Sequence, residues 1–478
     1  MSAKGSVSPV QHPPKTEATA PPEQTRRSKP EGRVRAASHT EGQRVPPGPR
    51  TPPWLQTLRW VTRPVEMLDA CRRAYGDVFT MRLGDGRRFV VISDPELIGE
   101  VFNADPRLLP AGRFNSNLDL IFGRTSLPML DDDRHLAERR MLLPAFHGKQ
   151  IAAYADTMAA VVRREVATWP TATAFSLHER MLDVTFEVIM RTVFGVEEQR
   201  RRGELATHFR AVMRAVAPLI YVPWLRRRGT RLGPRGRFAR RKAALDLILL
   251  DLVERRRRED AAGEADDVLA LLLRARHEDG SALSDIELRD ELGTLLLAGH
   301  ETTASSLAWW FDLVLRHPAV LGRLRDELAG GDDRYLDATI KESQRLRPVL
   351  VNVGRAAARA IDLDGWRIPA GTLLVPAIHL VHRRPDIYPE PDRFVPERFL
   401  DGSPPAHAFI PFGGGRRRCL GASFALLEMR VTIRTVLEHV DVSLAGGRPE
   451  RAVRRGPALA PRGGTRVLAH PLAAAGLT

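Results

Sequence analysis

Apolar positions recur at helical spacing over most of the chain, and turn residues divide that pattern into segments. Residues 64–75 carry it from Pro64 at the first turn to a stop at Gly76. Two alternating runs, 78–83 and 87–92, flank Gly84-Asp85-Gly86 and predict a hairpin. Residues 104–130 show little periodicity and predict an irregular segment. Helices are predicted over 151–169, from the capping box Ser176-x-x-Glu179 to Phe194, over 204–216, and along an arginine-rich stretch to Arg258. Between the last two lies an apolar link, 217–225, with Pro218 and Pro223. A second capping box, Ser284-x-x-Glu287, opens a pattern that meets no breaker until His317-Pro318, about 48 Å of helix. Residues 442–468 are rich in Gly and Pro with short apolar runs and predict small strands. The pattern is mainly α, one large helical domain with small β-sheets.

Composition adds a boundary. Eleven of the 36 prolines and no Phe, Trp or Tyr fall in the first 53 residues, a mixture that cannot bury enough surface to offset its ordering entropy. Residues 1–45 are read as a disordered Pro-rich tail and 46–478 as the folded domain. Two cysteines exclude a disulfide framework and a four-cysteine zinc site. No apolar run is long enough to span a membrane and the N-terminus has no apolar signal core, so the expected location is cytoplasmic. The formal net charge of +15 suits a basic face for an acidic partner. Nucleic acid is not expected, because no aromatic-interleaved basic motif accompanies that charge.

Two stretches break the local rules in ways that point to chemistry. The middle of the long helical pattern reads L-L-L-A-G-H-E-T-T, with Gly299 and two β-branched threonines where propensity disfavours them. His300-Glu301 begins a zinc-protease H-E-x-x-H pattern, but position 304 is Ala and that reading fails. Residues 412–421 read F-G-G-G-R-R-R-C-L-G. Three glycines permit positive φ and close approach to something large, and Cys419 precedes a helix start that favours a thiolate. Such a cysteine is a metal ligand or a nucleophile.

This stretch resembles the haem-binding loop of the cytochrome P450 family, F-G-x-G-x-R-x-C-x-G, at Phe412, Gly413, Gly415, Arg417, Cys419 and Gly421. The resemblance extends in the family's motif order from about residue 46 to the end and implies the cytochrome P450 fold. It implies that Cys419 is the axial thiolate on the iron of haem b, that Arg417 reaches a haem propionate, and that Phe412 packs beside the sulfur. His135 and Arg139, four apart on one helix face, and Arg355 take the family's further propionate-binding roles. Ala298, Gly299, Glu301 and Thr302 match the oxygen-binding motif. Gly299 would make room for dioxygen, and Glu301 and Thr302 would relay protons. Glu342, Arg345 and Arg398 match a buried Glu-Arg-Arg triad.

The function implied is monooxygenation, one atom of O2 inserted into a C–H bond of a small hydrophobic substrate. Electrons would come from a ferredoxin-type donor with its reductase, since the chain has no flavin or iron–sulfur module of its own, and a monomer is expected. Arg416 and Arg418 should point away from the haem toward that donor, with Arg140 adding to the same face. Candidate pocket residues are Leu108, Phe114, Leu120, Leu219, Leu295, Ala298 and Val351. The alternatives are a peroxide-driven peroxygenase and a haem-thiolate binding or sensing protein without turnover.

Overall fold

A computed structural model describes residues 35–36, 45–84, 86–146, 148–171, 173–221, 233–259 and 267–472. The long helix Asp285–Leu315 runs through the middle of the helical region and organises it. Its start is fixed locally. Ser284 accepts the Glu287 N–H while the Glu287 carboxylate accepts the Ser284 N–H at 2.8 Å, so two orphan donors are satisfied reciprocally. This central helix packs against Leu177–Thr192, and the helix Ala422–His439, which follows Cys419, packs against Ala155–Val166.

The predicted hairpin has the expected bounds, Val78–Leu83 paired antiparallel with Arg87–Ile92. It forms half of a four-stranded sheet completed by Leu373–Pro376, parallel to the second strand, and by Arg355–Ala356 at the edge. The helix Pro64–Tyr75 also ends as predicted, on Gly76 at φ +85°. The C-terminal strands divide between a hairpin, Ala452–Arg455 with Ala458–Pro461, and a sheet in which Arg466–Pro471 lies between Phe175–Ser176 and Val440–Leu444.

Three boundaries differ from the sequence reading. The helix expected over 151–169 is two, Lys149–Ala153 and Ala155–Val166, parted at Tyr154. The helix expected over 204–216 spans Gln199–Tyr221 and runs through Pro218, which costs it one backbone bond, with the adjacent Leu219 buried in the core. The rest of the apolar link, from 222 on, lies outside the described residues. Most of the predicted tail does too, but Arg35–Ala36 pairs antiparallel with Ile361–Asp362.

The irregular segment predicted over 104–130 contains the short helices Ala111–Asn115 and Asp119–Phe122, and its last part is held by the central helix. Asp290 accepts from the Thr125 hydroxyl at 2.7 Å and the Thr125 N–H at 3.2 Å, and Glu291 accepts from the Leu127 N–H. Gly123, at φ +78°, is required here: a Cβ would lie 2.0 Å from the Asp290 carboxylate.

Burial pushes Glu291 up to about 8, with Glu138, Asp290 and Glu287 adding to the rise and the Leu127 N–H opposing it. The folded state therefore holds a proton that the unfolded chain releases near its ordinary value of about 4.3, so stability falls as pH rises from there toward 8. Glu291→Gln keeps an acceptor for Leu127 and removes that dependence. The variant should gain about 1 to 3 kcal/mol over the parent on going from pH 5 to pH 8. Denaturant titrations at the two pH values check this, and parallel pH profiles for parent and variant would refute it.

Candidate active site

The cysteine loop is closed by its own backbone. Cys419 donates its N–H to the Phe412 carbonyl at 2.9 Å, and Gly413 donates to the Ile410 carbonyl at 2.9 Å. Gly413 and Gly415 take positive φ, +68° and +61°, whereas Gly414 is extended at −160°. What demands glycine at 414 and 415 is Phe102. A Cβ at 414 would stand 2.3 Å from its ring, and one at 415 would stand 2.4 Å from its carbonyl oxygen. The close approach inferred from the glycines is thus, at these two positions, to a phenylalanine of the chain itself.

Gly421 caps the helix Ala422–His439, as the helix-start reading expected. The Cys419 side chain has accessible surface although protein surrounds it, and burial is the largest influence on the thiol, raising its pKa. The Gly421 N–H, Arg139 and Arg418 act in the opposite direction, toward the thiolate. The expected lowering by the helix start is present as an influence, and desolvation outweighs it.

Four basic residues far apart in sequence come together beside this loop. His135 and Arg139 lie on the helix Asp132–Leu142, Arg355 on the sheet edge, and Arg417 on the loop. Buried His135 is pushed down to about 3 by desolvation and then by Arg417, Arg139 and Arg355. Arg355 is lowered to about 10 by burial and by Arg417, against the pull of Asp131. Arg417 bonds Asp131 at 2.8 Å and donates to the Leu130 carbonyl. Asp131 also accepts from the Gly112 N–H at 2.7 Å, so the loop, the helix start and the segment at 112 meet on one carboxylate. Sequence reasoning missed Phe102 and Asp131, and only the run Asp131-Asp132-Asp133 hinted at the second. Arg416 is exposed, and residue 416 borders a small cavity that His135, Arg355 and Arg417 also line. Arg140 is exposed and within 3.6 Å of Glu278.

The central helix is buried on most sides but opens along one stripe. Ala298 is exposed, and Leu295, Gly299 and Thr302 are partly accessible, at spacings of three, four and seven. Leu296, Leu297, Thr303 and Ala304 are buried. Thr302 donates its hydroxyl to the Ala298 carbonyl at 2.6 Å, and Ser306 donates to the Thr302 carbonyl at 2.9 Å. A Cβ at Gly299 would stand 3.1 Å from Ile189 Cδ1, so its smallness also serves the approach of the helix Leu177–Thr192. Burial pushes Glu301 up to about 7, with Arg455 pulling it down. His300 is a core histidine. It accepts from or donates to the Thr185 hydroxyl at 3.0 Å and sits edge-on to Phe186 and Phe209. Among the other pocket candidates, Leu108, Leu219 and Val351 are buried in the core clusters, Leu120 is half-buried, and Phe114 covers Gly354.

Beneath the loop the predicted triad is assembled. Glu342 and Arg345 form a two-pronged pair at 2.7 and 2.8 Å with no exposed side-chain surface, and Arg398 approaches Glu342 at 3.5 Å. Arg345 also donates to the His382, Pro391 and Arg393 carbonyls, while Glu342 accepts from the Val395 N–H. His382 in turn accepts from the Ile410 N–H at 2.8 Å. The segment entering the cysteine loop is thereby tied to one buried ion pair.

These residues suit a large, planar, anionic group ligated by sulfur: a sulfur both accessible and desolvated, a basic cluster answered mainly by Asp131, and a helix open along one stripe. Comparison with known proteins agrees. The chain is 39% identical over 443 residues to a Mycobacterium bovis protein carrying the name cytochrome P450 135B1, covering 90% of this chain and 92% of the relative. It is 38% identical over 426 residues to a Mycobacterium tuberculosis protein carrying the name cytochrome P450 138, covering 89% and 96%. Its fold is similar to that of retinoic acid bound cyanobacterial CYP120A1, with a TM-score of 0.80 at 26% identity over 90% of this chain and all of that one. The cytochrome P450DA haem domain gives a TM-score of 0.76 at 23% identity, over 90% and 98%. No helix among the described residues is long and apolar enough to cross a membrane. The sequence model of the family described as Cytochrome P450 matches residues 46–465, and the chain belongs to that family.

Proposed function

We propose that this haem-thiolate monooxygenase hydroxylates a C–H bond of a small hydrophobic substrate, with electrons delivered by a ferredoxin-type donor and its reductase. The observation that carries the reading is the accessible, mostly apolar stripe in the middle of the largely buried central helix, with the Thr302 hydroxyl at one end. The bound haem b supplies the redox centre at which dioxygen is reduced and one oxygen atom is made available to a C–H bond.

Cys419 would hold the iron through its sulfur as the thiolate, the form that the Gly421 N–H, Arg139 and Arg418 favour. Arg355, Arg417 and Arg139 offer charge to the haem carboxylates, and neutral His135 offers a ring N–H. Phe412 fixes the loop backbone through its carbonyl. Glu301, titrating near neutrality, holds and releases a proton at working pH, and the Thr302 hydroxyl, its own proton donated to Ala298, offers its oxygen as an acceptor to a water that carries the proton onward. Leu295, Ala298 and Gly299 leave a surface that suits an apolar molecule, and a structural neighbour holds retinoic acid. The protein acts as a cytoplasmic monomer whose N-terminal segment meets the haem domain at Arg35–Ala36, paired with Ile361–Asp362.

The test is Thr302→Ala, assayed with a surrogate ferredoxin and reductase. Haem content and substrate binding should stay at parental levels. Product formed per NADPH should fall about a hundredfold as reducing equivalents leave as hydrogen peroxide, the lower end of the scale of one lost proton-transfer group. Equal product per NADPH in variant and parent would overturn the relay and favour the peroxygenase reading.

A further inference from the structure

The hairpin Ala452–Arg455/Ala458–Pro461 is bolted to the central helix. The Trp309 indole donates to the Leu459 carbonyl at 3.0 Å, and the Leu459 N–H donates to the Val349 carbonyl at 2.7 Å, with Trp309 and Leu459 both buried. Its tip is therefore placed by the helix rather than free to swing. Gly456, at φ +53°, brings that tip against Glu301: a Cβ there would stand 3.6 Å from Glu301 Oε2 and 4.0 Å from Met213 Cε.

Arg455 is the strand residue immediately before this turn, and it is half-buried. Its charge reaches Glu301 on the central helix and His178 at the start of Leu177–Thr192. No hydrogen bond or ion pair joins its guanidinium to a partner among the described residues. Neither neighbour makes an ion pair with it. His178 is held down to about 4 by burial, and burial pushes Glu301 up to about 7, toward its uncharged form. A half-buried guanidinium without a counter-ion is costly, and a planar carboxylate is the partner its fork geometry fits best.

We propose that Arg455 is a specificity-determining residue that receives the acidic end of the substrate, so that the molecules taken are apolar carboxylic acids rather than neutral hydrocarbons or esters. The inference rests on the reading of the accessible stripe as the substrate pocket. The Arg455 charge then fixes one end of the ligand, and the apolar side chains of Leu295, Ala298 and Met213 receive the rest.

The experiment is calorimetric binding to the haem-loaded protein of lauric, palmitic and retinoic acids, each against its methyl ester. The parent should bind at least one acid about tenfold tighter than its ester, the scale of a partly buried charged pair. Arg455→Leu should remove that preference by weakening the acid and leaving the ester unchanged, while Arg455→Lys retains part of it. No acid preference in the parent, or equal weakening of acid and ester in Arg455→Leu, overturns the proposal. The reduced carbon monoxide spectra of the parent and of each variant are recorded in parallel. A parent without the thiolate band would count against the haem-thiolate reading, whereas a parent with the band and no acid preference counts against Arg455 alone.

Discussion

Cys419→His is expected to yield a protein whose reduced carbon monoxide complex lacks the strongly red-shifted Soret band of a thiolate-ligated haem, and whose monooxygenase activity is at background. The chain has one other cysteine, Cys71, buried in the helix Pro64–Tyr75 with its thiol pushed up by burial. Cys71 packs with Leu68, Phe79 and Val91, away from the basic cluster, so it cannot substitute. Imidazole can bind iron but does not push electron density toward it as a thiolate does, so ligation and chemistry separate in this variant. The loop itself should survive, because its closure runs through the Cys419 backbone N–H and the Phe412 carbonyl rather than through the sulfur. Cys71→Ala is the control and should keep the band. A red-shifted band in Cys419→His would show that the ligand has been misassigned.

Removing one partner of the Glu342–Arg345 pair should have the largest effect on stability. Both side chains are fully buried, and Arg345→Ala would abandon a carboxylate in the interior as well as three backbone carbonyls that the guanidinium now satisfies. Breaking a buried pair in this way costs about 3 to 5 kcal/mol, against a total stability of roughly 5 to 15 kcal/mol. Because the same pair ties down 391–395, and His382 ties down Ile410 at the entrance to the cysteine loop, haem loading should be lost with folding. Arg398→Ala should cost less, about 1 kcal/mol, since its guanidinium stands 3.5 Å from Glu342 and keeps some solvent exposure. Denaturant midpoints and the haem-to-protein ratio of the purified variants check this order. An Arg345→Ala protein that loads haem normally would refute the link between triad and loop.

The elements that could be read in advance are those whose causes lie within a few residues. Pro64 and Gly76 bound one helix, the Ser284–Glu287 capping box starts another, and Gly84 and Gly86 flank the turn between the paired strands. The cysteine loop belongs to the same class, since Cys419, Phe412 and Gly413 close it over a handful of positions. Composition and motif order were likewise enough to place the chain in its family. The triad was legible only as spacing, because nothing local distinguishes Glu342 and Arg345 from an exposed helix pair.

What tertiary structure alone decided depends on neighbours far away along the chain. Gly414 is glycine because of Phe102, and Gly299 lies against Ile189. The helix continues through Pro218, beside a Leu219 that is fully buried. Thr302 and Glu301 are adjacent in sequence, yet one hydroxyl returns to Ala298 and the other side chain meets the Arg455–Gly456 turn, because successive helix positions point about 100° apart. The sequence determined which groups are available and which short segments fold. Only packing could determine which of them share a desolvated space, and it is desolvation that pushes Glu301 to about 7 and holds His135 neutral.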